Sequence, residues 1–370
     1  MPESKYLKWE LREQTTTLST RATSWELQRE EVPVGYMLPG NDYFVYAWAN
    51  CESPGTNDGA TKWAFIGGDD LPGSTQERYD SNSSGMAICH VGAVTAPNPV
   101  LPIGIYRKMI EDGGEVEVTK ASQFFAVDVT DMGGDTIQFD HANNYSNRVI
   151  GIGGTLQSIT PTISGGAKCL IVGAAKVYGG DATPTKLGLY HDGSLVSSGS
   201  RYAVDGQDNN QVILGGVYNF TPGESFSIRN IDDSTSATTT YTYLMCLNLG
   251  LSASDSVTGT LTSWTDLGGS GEWTPTSATT DSGPSFVFAF ARQEATGVGY
   301  GRQASISVKN NTKGVWMNFA DRPSGEFSPH YFPATEVGED VGQYSTAAVI
   351  GIASVASPIA SGDEIQAYTI

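Results

Sequence analysis

One series of strand-like segments comes round three times in this chain, in the same order, and that repetition limits the fold more than any single motif does. The leading members are apolar runs at 43–49, 169–175 and 285–291, each followed by a turn-rich stretch at 53–59, 179–184 and 295–299. Shorter segments with period-two alternation come next, at 62–66, 186–190 and 304–308. A third group lies at 86–92, 211–217 and 348–353, and a fourth at 103–106, 226–229 and 365–368. A fifth, at 124–129 and 241–247, has no counterpart in the last copy.

These segments are short, rich in β-branched and aromatic residues, and separated by Gly, Asn, Asp and Pro, which is the pattern of antiparallel sandwiches and not of helices. The expected fold is therefore all-β: three tandem antiparallel β-sandwiches, jelly-roll-like, at 1–132, 133–252 and 253–370. With 370 residues, each unit is long enough to bury a core of its own. Glycine, at 44 residues, supplies the turns.

Two segments stand outside the repeat. The first is the N-terminal arm, where Leu7, Trp9 and Leu11 alternate with Lys8, Glu10 and Arg12 along one face of a strand. It reads either as the first strand of its own domain or as a strand added to a sheet edge, in the third copy or in a neighbouring subunit, where the last strand is missing. The second is an aromatic insertion at 311–342, with Trp316, Phe319 and Tyr331. It reads either as a contact surface or as a cover for its own core. These six residues are the candidate interaction residues.

Charge excludes some partners. Only 16% of residues are charged, 21 basic against 40 acidic, for a net charge of −19. Nothing offers a basic footprint for nucleic acid or an anionic membrane. No apolar stretch follows Met1-Pro2-Glu3-Ser4-Lys5 and no window approaches a membrane span, so the expectation is a chain made in a cytoplasm. Cys51, Cys89, Cys169 and Cys246 lie far apart and read as free thiols, although a bridge between Cys51 and Cys89 stays open.

Motifs for chemistry do not emerge. His90, His141, His191 and His330 are isolated from one another, and no glycine loop carries a nucleotide signature, so no metal and no cofactor is expected. Carboxylates cluster at Asp69-Asp70, Asp128/Asp131/Asp135, Asp205/Asp208 and Asp232-Asp233, in sequence where Asp caps turns. They read chiefly as structural, with an incidental calcium site or a pair of glycosidase carboxylates as the lesser readings. Trp264 and Trp273 flank a glycine-rich loop and suit packing better than a sugar platform.

The stretch from Ile163 to Ile228, with Gly165-Gly166-Ala167-Lys168-Cys169-Leu170 and later Phe220-Thr221-Pro222-Gly223-Glu224, is similar to β-sandwich repeats of phage structural and microbial surface proteins. In composition and strand order the chain resembles tailed-bacteriophage virion proteins. The resemblance implies a non-enzymatic auxiliary capsid protein (decoration, cement or head fibre) located in the virion after synthesis in the host cytoplasm. Its implied partners are the major capsid protein, other virion proteins and further copies of itself, with a trimer favoured. The alternatives are a tail fibre or baseplate protein that binds a host glycan, and a jelly-roll carbohydrate-active enzyme.

Overall fold

In the computed structural model the described residues are 7–13, 18–20, 22–52, 59–74, 76–78, 86–109, 116–130, 138–144, 146–163, 167–178, 185–201, 209–231, 236–248, 271–273, 285–294, 302–317, 322–323, 334–337, 344–353 and 359–369. Among them there is no α-helix. The chain is all-β, built from antiparallel sheets.

The first strand set comprises β1 (Leu7–Glu13), β2 (Leu18–Thr20), β3 (Glu26–Val32), β4 (Asp42–Glu52), β5 (Gly59–Phe65), β6 (Gln76–Arg78), β7 (Met86–Thr95), β8 (Ile103–Met109) and β9 (Val116–Asp128). One sheet runs β1-β9-β4-β7, with β2 also on β9; the facing strands run β6-β5-β8-β3. The second set comprises β10 (Gln138–Asn144), β11 (Arg148–Ile150), β12 (Thr155–Ile159), β13 (Ala167–Tyr178), β14 (Thr185–His191), β15 (Ser194–Arg201), β16 (Asn209–Phe220), β17 (Phe226–Asn230) and β18 (Ala237–Asn248). Its pairings repeat the first set strand for strand: β10-β18-β13-β16, with β11 on β18, faces β12-β17-β14-β15.

The third set comprises β19 (Gly271–Trp273), β20 (Ser285–Glu294), β21 (Arg302–Asn310), β22 (Val315–Trp316), β23 (Arg322–Pro323), β24 (Ala334–Val337), β25 (Tyr344–Ala353) and β26 (Ile365–Thr369). Here β20 pairs with β25 as β4 does with β7, and β19-β26-β21 matches β3-β8-β5. The segments recognised as repeats in the sequence are therefore paired equivalently each time. Hydrogen bonding also crosses the boundary at 132, because β6 meets β16 at Glu77 and Asn209 and joins the two sets in one nine-stranded sheet.

Alternation along the strands makes the cores. Tyr43, Val45, Ala47 and Ala49 of β4 pack with Trp63 and Phe65 of β5, Ile103 and Ile105 of β8, and Phe124 and Ala126 of β9. Phe124 has both Trp63 and Tyr36 as ring neighbours, at 6.3 and 6.1 Å. Burying one such ring contributes roughly 2–3 kcal/mol. The second core repeats this arrangement with Ile171 and Ala175 of β13, Leu187 and Leu189 of β14, Phe226 and Ile228 of β17, and Leu244 and Cys246 of β18.

The residues between these are just as buried. Phe44, Tyr46 and Trp48 of β4, Val172 and Ala174 of β13, and Tyr243 and Met245 of β18 have almost no exposed surface. They point away from their own sandwich, so their cover comes from outside their own pair of sheets. Trp48 carries a polar atom into this second layer, and its Nε1 donates to Gln123 Oε1 at 2.9 Å.

The N-terminal arm does not extend the third set. β1 pairs with β9 of its own set, from Leu7 opposite Val127 to Glu13 opposite Ala121. β4 takes one side of the long β9 and leaves the other side for β1 and β2. β10 and β11 occupy the equivalent side of β18. Cys51 lies opposite Met86, three positions along β7 from Cys89. At about 3.4 Å per residue this separates the two backbones by about 10 Å, beyond the reach of a disulfide. Cys169 and Cys246 are buried free thiols.

Candidate interaction surface

Several polar groups among the described residues brace the fold. Glu31, on β3, accepts hydrogen bonds from Arg29 and from Ser122 of β9, which ties the two sheets of the first sandwich together. Asp128 accepts from Asn41 Nδ2 at 2.8 Å and from the Thr130 amide at 3.1 Å, and so closes the end of β9. Asp70 pairs with Lys62. Two of the acidic clusters picked from the sequence thus contain residues that brace turns and strand ends. Asp131, Asp135, Asp205, Asp208, Asp232 and Asp233 lie outside the described residues.

His191 meets Glu224 at 2.9 Å and stacks on Phe226 at 4.5 Å, beside the Asp192-Gly193 turn. Backbone and imidazole hydrogen bonds to Glu224 hold its carboxyl below the usual range. No group of His, Cys, Asp and Glu among the described residues could hold a metal ion. No helix among them is long and apolar enough to cross a membrane.

What the strand sets do share is a way of touching one another. β6 of the first set hydrogen-bonds to β16 of the second. β15, the equivalent of β6, lies against β25, the equivalent of β16. β24 pairs with β21 as β6 does with β5, and lies against β7. Each set thus offers the same kind of strand to the same kind of neighbour, and the third contact returns to the first set. The three sets form a closed ring with an approximate threefold repeat inside one chain.

The first junction has a specific anchor. Tyr241 of β18 donates its hydroxyl hydrogen to the Val91 carbonyl of β7 at 2.8 Å. Its ring fills space left by two glycines: a Cβ on Gly73 would lie 2.6 Å from the ring, and one on Gly92 would lie 2.4 Å from the hydroxyl oxygen. His90 borders the same space, its ring 3.1 Å from that Cβ position on Gly92, and is fully buried. Its Nδ1 donates to the Pro72 carbonyl at 2.8 Å, while Nε2 has no hydrogen-bond partner. Burial pushes the imidazole pKa down to about 4, against the smaller opposing effect of the Pro72 carbonyl, so the ring is neutral at pH 7.

Four of the six candidate interaction residues lie among the described residues, on two strands. On β1, Leu7, Trp9 and Leu11 stand opposite Val127, Phe125 and Gln123 of β9. Trp316 is on β22, opposite Lys309 and Arg322. Phe319 and Tyr331 lie outside the described residues. Part of the insertion, β24, closes the ring, so that segment of 311–342 makes an intramolecular contact. Tyr241 and His90 were missed as a pair because their elements come from different sets. Only the glycines at 73 and 92 hinted at a close approach there. Trp25 lies beneath the ammonium groups of Lys62 and Lys108 at 4.5 and 5.0 Å.

No family model and no curated protein matches this chain. Similar solved structures include a tandem pair of CBM22 domains from Paenibacillus barcinonensis Xyn10C, with 9% identity, 66% of this chain and 91% of that one covered, and a TM-score of 0.24. The Macrobrachium rosenbergii nodavirus shares 11% identity over 67% and 92% of the two chains, at a TM-score of 0.19. The STIV MCP shares 11% over 65% and 95%, at 0.21. Similarity this low does not separate a capsid protein from a carbohydrate-binding module.

Proposed function

We propose that this chain is a non-enzymatic structural protein of a virus particle, an auxiliary capsid protein of decoration, cement or head-fibre type that binds and stabilises the shell. The supporting observation is the closed ring of three strand sets, in which the described polar clusters are spent on bracing the fold. A protein of this kind stabilises a shell by binding its assembled state. The partner in this reading is the major capsid protein, and the protein's location is the virion.

A favoured trimer also belongs to this proposal, in modified form. Three sets in one chain already supply the threefold arrangement for which a jelly-roll protein of one domain would need three subunits. Co-sedimentation of the purified chain with shells lacking it tests the proposal. Saturable binding and a higher shell melting temperature are expected. Failure to bind any shell, with binding on a glycan array, would replace it with the fibre or baseplate reading; cleavage of a polysaccharide would replace it with the enzyme.

A further inference from the structure

Tyr241 leaves its own sandwich to enter the one beside it. On β18, Leu244 and Cys246 face the second core, so Tyr241, an odd number of positions away, points to the other side. Its ring rests against Gly73 and Gly92 of the first set. His90 and Gly92 stand opposite Ala47 and Val45, which belong to the first core, so both lie on the inner face of β7. The tyrosine ring therefore plugs the mouth of the first sandwich between β7 and the 71–74 turn, and the bond from His90 to the Pro72 carbonyl spans that mouth. β7 is also the strand that β24 touches, so the first junction and the closing contact of the ring meet on it.

The imidazole carries one proton, and the site makes no provision for a second. Nδ1 holds the proton it donates to Pro72, and Nε2 is buried without a hydrogen-bond partner. A second proton would place a charge on a side chain that has no exposure to water. Of the titratable groups on the surrounding elements, β4 brings Tyr43 on the same face, its hydroxyl bonded to the Leu38 amide. The 66–74 turn brings Asp69 and Asp70, both exposed, with Asp70 paired to Lys62. β18 brings Tyr241 itself, and opposite it on β13 stands Lys176, a buried cation. β6 and β24 carry Glu77, Arg78 and Glu336.

We infer that the first junction is closed by an acid-sensitive plug: when His90 takes up a second proton its ring leaves the mouth, Tyr241 comes out with it, and the first and second sets part there while each sandwich stays folded. The neutral ring suits the closed junction; the imidazolium suits the open one, where water solvates both of its N–H groups. Burial holds the closed form at about 4, against the ordinary 6.5 of an imidazole in water. Opening therefore becomes more favourable as pH falls below 6.5, and gains little more once pH is below 4. Between pH 7 and pH 5 the opening equilibrium rises about 20-fold. The inference does not depend on the virion reading, since it concerns how the ring is held and not what the ring binds.

Native-state hydrogen exchange on the full chain between pH 7 and pH 5 tests this, read as protection factors so that the intrinsic pH dependence of exchange divides out. The reporters are the Leu71 and Ser74 amides, which close the 71–74 turn on the Trp63 and Leu71 carbonyls. Their protection should fall about 20-fold over this range, while amides in the middle of β13 change by less than about threefold. His90→Gln, which cannot take up the proton, should remove the pH dependence at Leu71 and Ser74. Where that variant does not fold, the imidazole titration of the unaltered chain by NMR decides: a His90 midpoint below about 6 supports the inference, and one at 6 or above overturns it. Equal loss of protection at 71–74 and in β13 would overturn it in favour of acid unfolding of whole sandwiches. Protection at 71–74 that ignores pH, or a pH dependence that survives His90→Gln, would overturn it as well.

Discussion

The first and third strand sets use the same order of pairing and differ in what surrounds the long apolar strand of each. In the first, β4 lies between β7 and β9, with β1 outside β9. In the third, β20 has β25 alone among the described residues. The difference shows that a sandwich in this chain is completed from both ends of its own sequence. The opening strands β1 and β10 flank the closing strands β9 and β18.

That contrast can be tested by damaging the complete set. Phe124→Ala removes a buried ring that contacts Trp63 and Tyr36, and should destabilise the first sandwich by about 4 kcal/mol, measured by urea denaturation. If the ring couples the sets, the transition of the third should move in the same variant. Two separate transitions, with only one shifted, would show that the sets unfold independently.

Acid should act at the junction with the next largest effect. His90 is held neutral with a pKa of about 4, against 6.5 in the unfolded chain. Between these values the unfolded chain binds the extra proton, so stability falls as pH drops from about 6.5 towards 4, by about 3 kcal/mol in all. Many carboxylates titrate at the lower end of this window, so the quantity to measure is the difference from His90→Gln, in which the slope between pH 6.5 and 5 should flatten. An unchanged slope would remove His90 as its source.

Tyr241→Phe keeps the ring between Gly73 and Gly92 and leaves the Val91 carbonyl without its hydroxyl donor. A loss of about 1–2 kcal/mol is expected, with faster exchange along β7. The smallest change is expected at the β14–β15 hairpin, where Asp192 and Gly193 have φ of 45° and 84°. Gly193→Ala should cost about 1 kcal/mol, confined to the second sandwich, as read from its thermal transition.

That hairpin was legible from sequence, because Asp-Gly between alternating segments supplies the two positive φ values that a tight turn needs. The five recurring segments were legible for a similar reason: burial on one face leaves a period of two in the sequence. The ring was not. β6 and β24 are three and four residues long, too short to show a pattern, and their partners lie in other sets. The arm was ambiguous for the same physical reason. Alternation at Leu7, Trp9 and Leu11 reports that a strand has two faces, whereas the choice of neighbour rests on which edge is free, and that edge lies more than a hundred residues away on β9. His90 read as an ordinary strand residue because the tyrosine beside it comes from the far end of the second set.

The contact of β24 with β7 bears on the order of events as the chain folds. Domains emerging from the ribosome generally fold from the N-terminus, so the first sandwich forms while its β7 edge still has no neighbour. Closure must then await a segment made some 240 residues later, and long-range contacts of this kind form slowly. During that interval the β7 edge is an opportunity for pairing between nascent chains. Expression at a slower rate or lower temperature should therefore change the yield of correctly closed molecules more than it changes their stability once formed.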